Sequence, residues 1–567
     1  MSYREEYERW LASDALTAEE RRELEAVRGN DKEIRERFYA PLSFGTAGLR
    51  GLMGAGIRRM NARVVRQATR ALGSLILAQG GKAAAAGAVV CHDCRNHSRE
   101  YAEDAARILA AMGIRVRLFE ALRPTPELSF AIRYYGATAG INITASHNPK
   151  EYNGYKVYWS DGAQLPPEHA DRVAEAMEKI DVLSPLPMAA LTDRHIQLIG
   201  READEAFLKS VLSQCVLPGC VAQAGLKIVY TPFNGAGAAL VPEALGRLGL
   251  RSLSCVAEQM DPDGDFPTCA NPNPEFEIGF ERALVLAKKE DADLIIGTDP
   301  DSDRLGLMVK TAPGQYRLLS GNQAGVLFLD YLFLAKGETG ALPERPVALK
   351  SIVSTEMARA VAEHYGAAME DTFTGFKFLA ERMKHYENGE KSVIFAFEEA
   401  IGYAFGTAVR DKDAVTAAVM AAEMASYHAL HGRTLLEQLE ELYALLGFFE
   451  EETVSLTMPG VDGLEKMRAL MARLRAEPPK ALGGKAVLRA RDYLSGTAVT
   501  AAGETETLPM QGADMLYFDL EGGSAFIVRP SGTEPKIKCY LLVRGEDKAA
   551  CVELRQALGT YARGLAE

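Results

Sequence analysis

The sequence predicts a multidomain α/β protein: three related α/β units with mixed sheets, followed by a smaller α+β domain. Three observations carry this expectation. The chain has 567 residues, several times a typical domain, so it can bury several separate cores. An apolar strand that ends in a polar turn and leads into a helical stretch recurs at Val89-Val90-Cys91-His92-Asp93, Ile228-Val229-Tyr230-Thr231-Pro232 and Val347-Ala348-Leu349-Lys350-Ser351. From about Glu451 the pattern changes to short strands at 515–520, 525–528 and 537–543, ahead of a helix starting near Glu546.

Taken in order, Thr17-Ala18-Glu19-Glu20 has capping-box spacing and opens a charged helix to about Val27, so residues 1–40 read as a helical lead-in. The α/β domains are expected at 41–200, 201–315 and 316–440, and the α+β domain at 441–567, with a Pro/Ala/Gly-rich loop at 478–484. Hydrophobic residues make up 47% and charged residues 25%, as in globular chains. A net charge of −13 argues against nucleic acid or an anionic membrane as the main partner, so an anionic substrate must meet a local basic pocket. Met1-Ser2-Tyr3-Arg4-Glu5-Glu6 opens with no apolar signal, and no run of 18 apolar residues follows, which predicts a cytoplasmic protein. Eight scattered cysteines fit reduced thiols. Cys91-His92-Asp93-Cys94 has CxxC spacing, but it closes an apolar strand and lacks the second pair that zinc requires.

Gly297-Thr298-Asp299-Pro300-Asp301-Ser302-Asp303-Arg304 follows the buried strand Leu294-Ile295-Ile296 and is the most informative segment. Carboxylates at i, i+2 and i+4 can share one hard divalent cation, although an extended chain would spread them over roughly 13 Å, so the segment must curl. A loop past the C-terminal end of a strand is where α/β sheets place ligands. Arg304 and Lys310 stand where an EF-hand needs Gly and Glu, and three acids with room for water or phosphate favour Mg²⁺. Asp261-Pro262-Asp263-Gly264-Asp265 has similar spacing without such a strand and reads as a turn.

Gly140-Ile141-Asn142-Ile143-Thr144-Ala145-Ser146-His147-Asn148-Pro149 puts a serine just past an apolar strand. Neighbouring residues on a strand point to opposite faces and no G-x-S-x-G elbow is present, which argues against a hydrolase triad. Asn153-Gly154-Tyr155-Lys156 reads as a tight turn followed by a lysine able to partner phosphate or carry a proton. Arg529-Pro530-Ser531-Gly532-Thr533-Glu534-Pro535, after Phe526-Ile527-Val528, offers an arginine, two hydroxyls and a glycine suited to a phosphate dianion, with Lys538 nearby. It is no Walker loop. Gly45-Thr46-Ala47-Gly48-Leu49-Arg50-Gly51 is a glycine-rich loop ending in arginine. In Phe397-Glu398-Glu399-Ala400-Ile401-Gly402-Tyr403, adjacent carboxylates either accept from sugar hydroxyls or begin a helix. Thr374-Gly375-Phe376-Lys377 and Arg410-Asp411-Lys412-Asp413 add cations to the same unit.

In this order, the segments from Gly45 to Tyr540 resemble the α-D-phosphohexomutase family. Thr144–Pro149 is similar to its phosphoserine loop, Asp299–Arg304 to its metal loop and Arg529–Pro535 to its phosphate-binding loop. The resemblance implies a four-domain, heart-shaped molecule around one cleft. It implies an intramolecular phosphotransferase that interconverts glucose 1-phosphate and glucose 6-phosphate through phosphoserine, with Mg²⁺ and a glucose 1,6-bisphosphate intermediate. Ser146, with Asp299, Asp301 and Asp303, would hold the metal beside Arg304, and Lys156, His147 and Arg50 would serve catalysis. Thr374, Gly375, Lys377, Glu398, Ala400, Arg410, Lys412, Arg529, Ser531, Gly532, Thr533 and Lys538 would bind substrate. Ala400 stands where the family usually has serine, which resembles the branch containing phosphoglucomutases and phosphopentomutases. Lys538 replaces a common arginine and should grip phosphate less bidentately. The implied partner is a small-molecule sugar phosphate, with no nucleic acid or membrane, acting on a monomer or dimer. Alternatives are a mutase of ribose or deoxyribose phosphates, a phosphomannomutase, a hexose-bisphosphate synthase and a noncatalytic sugar-phosphate sensor.

Overall fold

The lead-in folds as three helices, Tyr3–Leu11, Ala18–Ala26 and Asp31–Phe38. Ser2 and Thr17 close reciprocal capping boxes with Glu5 and Glu20, satisfying backbone donors that the first turns leave open. Trp10 and Phe38 meet edge to face at 5.6 Å, and this cluster takes in Ala55 and Leu183 from the domain that follows. The computed structural model describes residues 2–46, 48–458, 463–531 and 536–566. The chain divides into two compact units, one of residues 1–324, 331–346 and 376–434, the other of 325–330, 347–375 and 435–567.

In the first unit, a six-stranded sheet runs in the order Leu49–Leu52, Tyr152–Trp159, Ala139–Ile143, Ala88–His92, Val116–Phe119, Ile196–Ile199. Its inner strands are parallel and fully buried, so they are mostly apolar, with His92, Arg117 and Asn142 as the polar exceptions, whereas the edge formed by Leu49–Leu52 and Tyr152–Trp159 is antiparallel. Helices Ala62–Ala78 and Ser98–Ala111 supply Val64, Leu72, Leu75 and Leu109 to the core. A five-stranded sheet follows, ordered Gln315–Leu318, Leu305–Ala312, Leu294–Thr298, Lys227–Thr231, Ser252–Cys255 and again mixed. Ser392–Glu398 and Gly402–Phe405 form an antiparallel hairpin. Helix Ala414–Leu430 is buried on every side from Ala414 to His428, which explains its apolar composition all round.

The second unit holds a parallel pair, Val347–Ser351 against Ala368–Thr372, and an antiparallel C-terminal sheet in which 448–457, 536–545, 525–530, 516–520 and 485–492 are successive neighbours. Helices Gly463–Ala476 and Lys548–Gly564 cover this sheet with Met467, Leu470, Leu554 and Leu558. Among the described residues, no helix is long and apolar enough to cross a membrane.

Two local expectations fail. Asn153-Gly154 is not a turn but lies within the strand Tyr152–Trp159. The Asn153 amide is consumed by the Asn96 carbonyl and the Ser98 hydroxyl, both at 3.0 Å. Gly154 is required because the flanking strands crowd it: an added Cβ would lie 2.5 Å from the Thr144 carbonyl oxygen and 2.8 Å from that of Leu49. Glu398 and Glu399 do not start a helix either, since Glu398 ends a strand and the next residues turn, with Ile401 at φ +52°. Gly154→Ala is expected to lower unfolding stability by roughly 1–3 kcal/mol, seen as a reduced denaturant midpoint at unchanged m-value.

Candidate active site

Strand Leu294–Thr298 ends beneath Asp299, and the chain returns as Leu305–Ala312 after a curl that places Ser302 at φ +52°. The Asp299 carboxylate organises this curl. Its Oδ1 accepts the N–H groups of Asp303 and Arg304 at 3.0 and 2.9 Å. One ligand oxygen from each of Asp299, Asp301 and Asp303 lies within 4.8 Å of the others, and all three residues are buried. Among the described residues they are the only group of at least three His, Cys, Asp or Glu side chains so gathered, so Cys91-His92-Asp93-Cys94 does not form one. Asp301 Oδ1 and Asp303 Oδ1 have no hydrogen-bond partner among the described residues. An all-oxygen set with unpartnered buried acceptors fits a hard divalent cation.

Burial and the neighbouring Asp301 and Asp303 raise the Asp299 carboxyl well above its ordinary range. Burial pushes Asp303 the same way, but Lys412, Lys156 and Arg304 outweigh it and hold that carboxyl low. Lys156, on the antiparallel strand Tyr152–Trp159, donates to Asp301 at 2.7 Å and to Asp303 at 3.2 Å. Lys412, just before helix Ala414–Leu430, lies 3.4 Å from Asp303 and 3.1 Å from Asp411. Asp411 is itself held by the Tyr158 hydroxyl at 2.9 Å and the Gln164 amide at 3.1 Å.

Ser146 stands against this cluster. Its φ of +53° takes it off the line of strand Ala139–Ile143, its amide donates to Thr144 Oγ1 at 2.8 Å, and its hydroxyl donates to Asp299 Oδ2 at 2.8 Å. The same left-handed step brings Ser146 Oγ within 3.2 Å of His147 Nδ1, so the two side chains meet instead of pointing apart as strand alternation predicts. Burial, with Arg304 and Arg50 nearby, lowers the His147 imidazole well below its ordinary value. Arg50 donates to Asn148 at 3.1 Å.

The remaining expected residues lie in several places. Arg304 reaches the Ala400 carbonyl at 3.2 Å, fastening the aspartate loop to the hairpin that carries Glu398. Lys377, on helix Phe376–His385, donates to Thr46 at 2.9 Å. Arg410 is buried, with its guanidinium on Glu387 and the Ala380 carbonyl. In the second unit, Thr374 and Gly375 follow strand Ala368–Thr372, with Gly375 at φ +113°. Arg529 and Lys538 are direct cross-strand partners, and the Ser531 amide donates to the Lys536 carbonyl at 2.7 Å. Two cations opposite one another on one face repel, an arrangement that suits an anion between them. Gly532 and Thr533 lie outside the described residues.

Arg95 escaped the sequence reading. Its fully buried guanidinium donates to the carbonyls of Ser146, Asn148, Pro149 and Tyr152 at 2.5–3.1 Å and stacks over Phe266 at 5.3 Å. Asp93 Oδ1 accepts from the Arg95 amide at 2.9 Å and the Ser98 hydroxyl at 2.8 Å. The available signal was Asp-x-Arg directly after a buried strand.

A serine hydroxyl against clustered aspartates, ringed by lysines and arginines on tandem α/β units, has the parts that phosphoryl transfer requires. Residues 41–183, 205–314 and 320–446 match, respectively, the alpha/beta/alpha domains I, II and III of phosphoglucomutase/phosphomannomutase. The chain is 36% identical over 523 residues to a phosphoglucomutase of Staphylococcus aureus (strain MRSA252), covering 91% of this chain and 92% of that protein. It is also 36% identical to the phosphoglucomutase of Staphylococcus epidermidis ATCC 12228, over 90% of this chain and 92% of that one. Among solved structures, the Paramecium phosphoglucomutase parafusin superposes with a TM-score of 0.69 at 16% identity, over 93% of this chain and 95% of that chain. Aspergillus fumigatus N-acetylphosphoglucosamine mutase, solved with GlcNAc-6P and magnesium, gives 0.52 at 13% identity, over 97% and 100%. At these identities the structural likeness is one of fold. The chain belongs to the phosphoglucomutase/phosphomannomutase family, whose members are phosphosugar mutases.

Arg95→Lys, which keeps the charge but loses the planar fork, is expected to lower stability by about 1.5–3 kcal/mol. Mutase turnover should fall roughly 100-fold as the Ser146 loop shifts, measured by thermal melts and steady-state rates on the same preparation.

Proposed function

We propose that this protein interconverts glucose 1-phosphate and glucose 6-phosphate through a phosphorylated Ser146 and glucose 1,6-bisphosphate, with Mg²⁺ held by Asp299, Asp301, Asp303 and an oxygen on Ser146. The observation that carries the reading is the Ser146 hydroxyl, buried and 2.8 Å from one of three gathered aspartates. The curated relatives support it, being phosphoglucomutases along almost the whole chain. The magnesium and GlcNAc-6P bound to the fungal mutase support the metal and the substrate class. The division at 41–200, 201–315, 316–440 and 441–567 belongs to the same proposal.

When bound, Mg²⁺ supplies charge neutralisation and polarises phosphoryl oxygens. The chain supplies positioning and further charge, the main terms in phosphoryl transfer. Arg95 fixes the Ser146 loop, while Lys156 and Arg50 meet the transferring group beside Arg304. The bond from phosphorus to Ser146 Oγ breaks as one forms to the free sugar hydroxyl, whose proton passes by way of His147, 3.2 Å from Oγ, to the departing serine oxygen, while Lys156, an ammonium on Asp301 and Asp303, offsets the charge. Glu398 accepts from sugar hydroxyls, Ala400 leaves out one such contact, and Thr374, Gly375, Lys377, Arg410 and Lys412 belong with them to the proposed substrate-binding set. Arg529, Ser531, Gly532, Thr533 and Lys538 grip the phosphate that is not reacting. The bisphosphorylated sugar then reverses and returns its other phosphate to Ser146. Keeping water out in the meantime protects the phosphoserine from hydrolysis.

Ser146→Ala should abolish turnover without unfolding the protein and remove the extra phosphoryl mass from the intact chain. An unchanged rate would refute the phosphoserine route. EDTA should stop the reaction and Mg²⁺ restore it. With Mg²⁺, kcat/KM should be higher for glucose 1-phosphate with glucose 1,6-bisphosphate than for ribose 1-phosphate with its bisphosphate; the reverse order would overturn the hexose assignment.

A further inference from the structure

Thr125 belongs to neither the serine loop nor the aspartate loop, yet it ties the two together. It opens helix Thr125–Tyr134 behind Pro124. Its amide donates to the Asp301 carbonyl at 2.8 Å, and its hydroxyl donates to Asp301 Oδ2 at 2.7 Å. That hydroxyl also accepts the side-chain amide of Asn142 at 2.7 Å. Asn142 lies on strand Ala139–Ile143, which runs directly into the Ser146 loop. All three residues are 0% exposed.

The direction of this chain follows from the inventory of donors. An ionised carboxylate only accepts, and a hydroxyl has one proton, so the Thr125 proton goes to Asp301 and Asn142 must present its N–H. Asp301 Oδ2 is thereby taken twice, by Thr125 and by the Lys156 ammonium at 2.7 Å. Asp301 Oδ1 is buried with no hydrogen-bond partner among the described residues. Leaving a buried acceptor unsatisfied costs free energy, and a carboxylate free to rotate would relieve it. The Thr125 hydroxyl opposes that rotation.

On the reading of the aspartates as a metal site, we infer that Thr125 is a positioning residue for the cation. By occupying Oδ2 it leaves Oδ1 of Asp301 as the ligating oxygen, and through Asn142 it couples that orientation to the strand carrying the serine. Partners that orient metal ligands in this way typically contribute 10- to 100-fold in metal affinity.

The test is direct binding of Mn²⁺, followed by the electron paramagnetic resonance of the free ion, to the full-length protein without substrate. Thr125→Val should bind Mn²⁺ roughly 10- to 100-fold more weakly than wild type. Thr125→Ser, which restores the hydroxyl, should stay within about threefold, and Asn142→Ala should fall between them. Wild-type affinity in Thr125→Val would overturn the inference, as would an equal loss in Thr125→Ser, because the hydroxyl would then not be the active group. If Thr125→Val does not fold, the other two variants decide: wild-type affinity in Thr125→Ser with weakened binding in Asn142→Ala supports the link, and no loss in Asn142→Ala refutes it. Failure of the wild-type chain to bind Mn²⁺ would overturn both the metal reading and this inference, whereas equal binding by wild type and Thr125→Val would remove only the role of Thr125.

Discussion

Gathering three carboxylates of one loop in a buried position sets up a repulsion that the loop cannot relieve alone. The ligand oxygens of Asp299, Asp301 and Asp303 lie within 4.8 Å of one another, where unscreened like charges are costly. Backbone amides of Asp303 and Arg304 meet one of these oxygens. Side chains from elsewhere meet two more, Oδ2 of Asp301 and Oδ2 of Asp303: Lys156 from the first sheet, Lys412 from the segment before helix Ala414–Leu430, and the Thr125 hydroxyl.

This requirement accounts for much of the first unit's construction. Lys156 must project from a strand that crosses the sheet edge antiparallel to Ala139–Ile143, and that strand passes between its neighbours only because Gly154 has no side chain. Lys412 is held by Asp411, which Tyr158 and Gln164 anchor from the first domain. Arg95 closes the arrangement by gathering the carbonyls of Ser146, Asn148, Pro149 and Tyr152 as acceptors for one guanidinium. The position of the serine is therefore a property of several segments distant in sequence.

That dispersal decides what could be read from the sequence. Three aspartates at alternate positions after an apolar strand announce themselves locally, and so do the strand and helix rhythm and the capping boxes of the lead-in. Arg95 and Thr125 do not, because their partners lie tens to more than a hundred residues away and nothing in their own neighbourhood requires them. Asn153-Gly154 misleads because the pair that favours tight turns was selected here for other reasons: a buried amide with two partners and a missing Cβ. The Ser146 and His147 contact was hidden by the assumption of an extended chain, which a positive φ at Ser146 breaks. Composition alone suggested Arg529–Pro535 as a segment suited to phosphate, and the cross-strand pairing of Arg529 with Lys538 adds a register that composition cannot supply.

The pairing of Arg529 with Lys538 also bears on how the second unit stores free energy. Two like charges held opposite each other on adjacent strands weaken the hairpin they belong to, and an anion between them would turn that repulsion into attraction on both sides. Part of the affinity for an anion at this hairpin would then come from relief of a fault in the empty protein, and not only from contacts made to the ligand. Occupancy and local folding stability would be two measures of one quantity, linked by mass action. Replacing either cation with a neutral residue would consequently produce a C-terminal sheet that is firmer when empty and less responsive when filled.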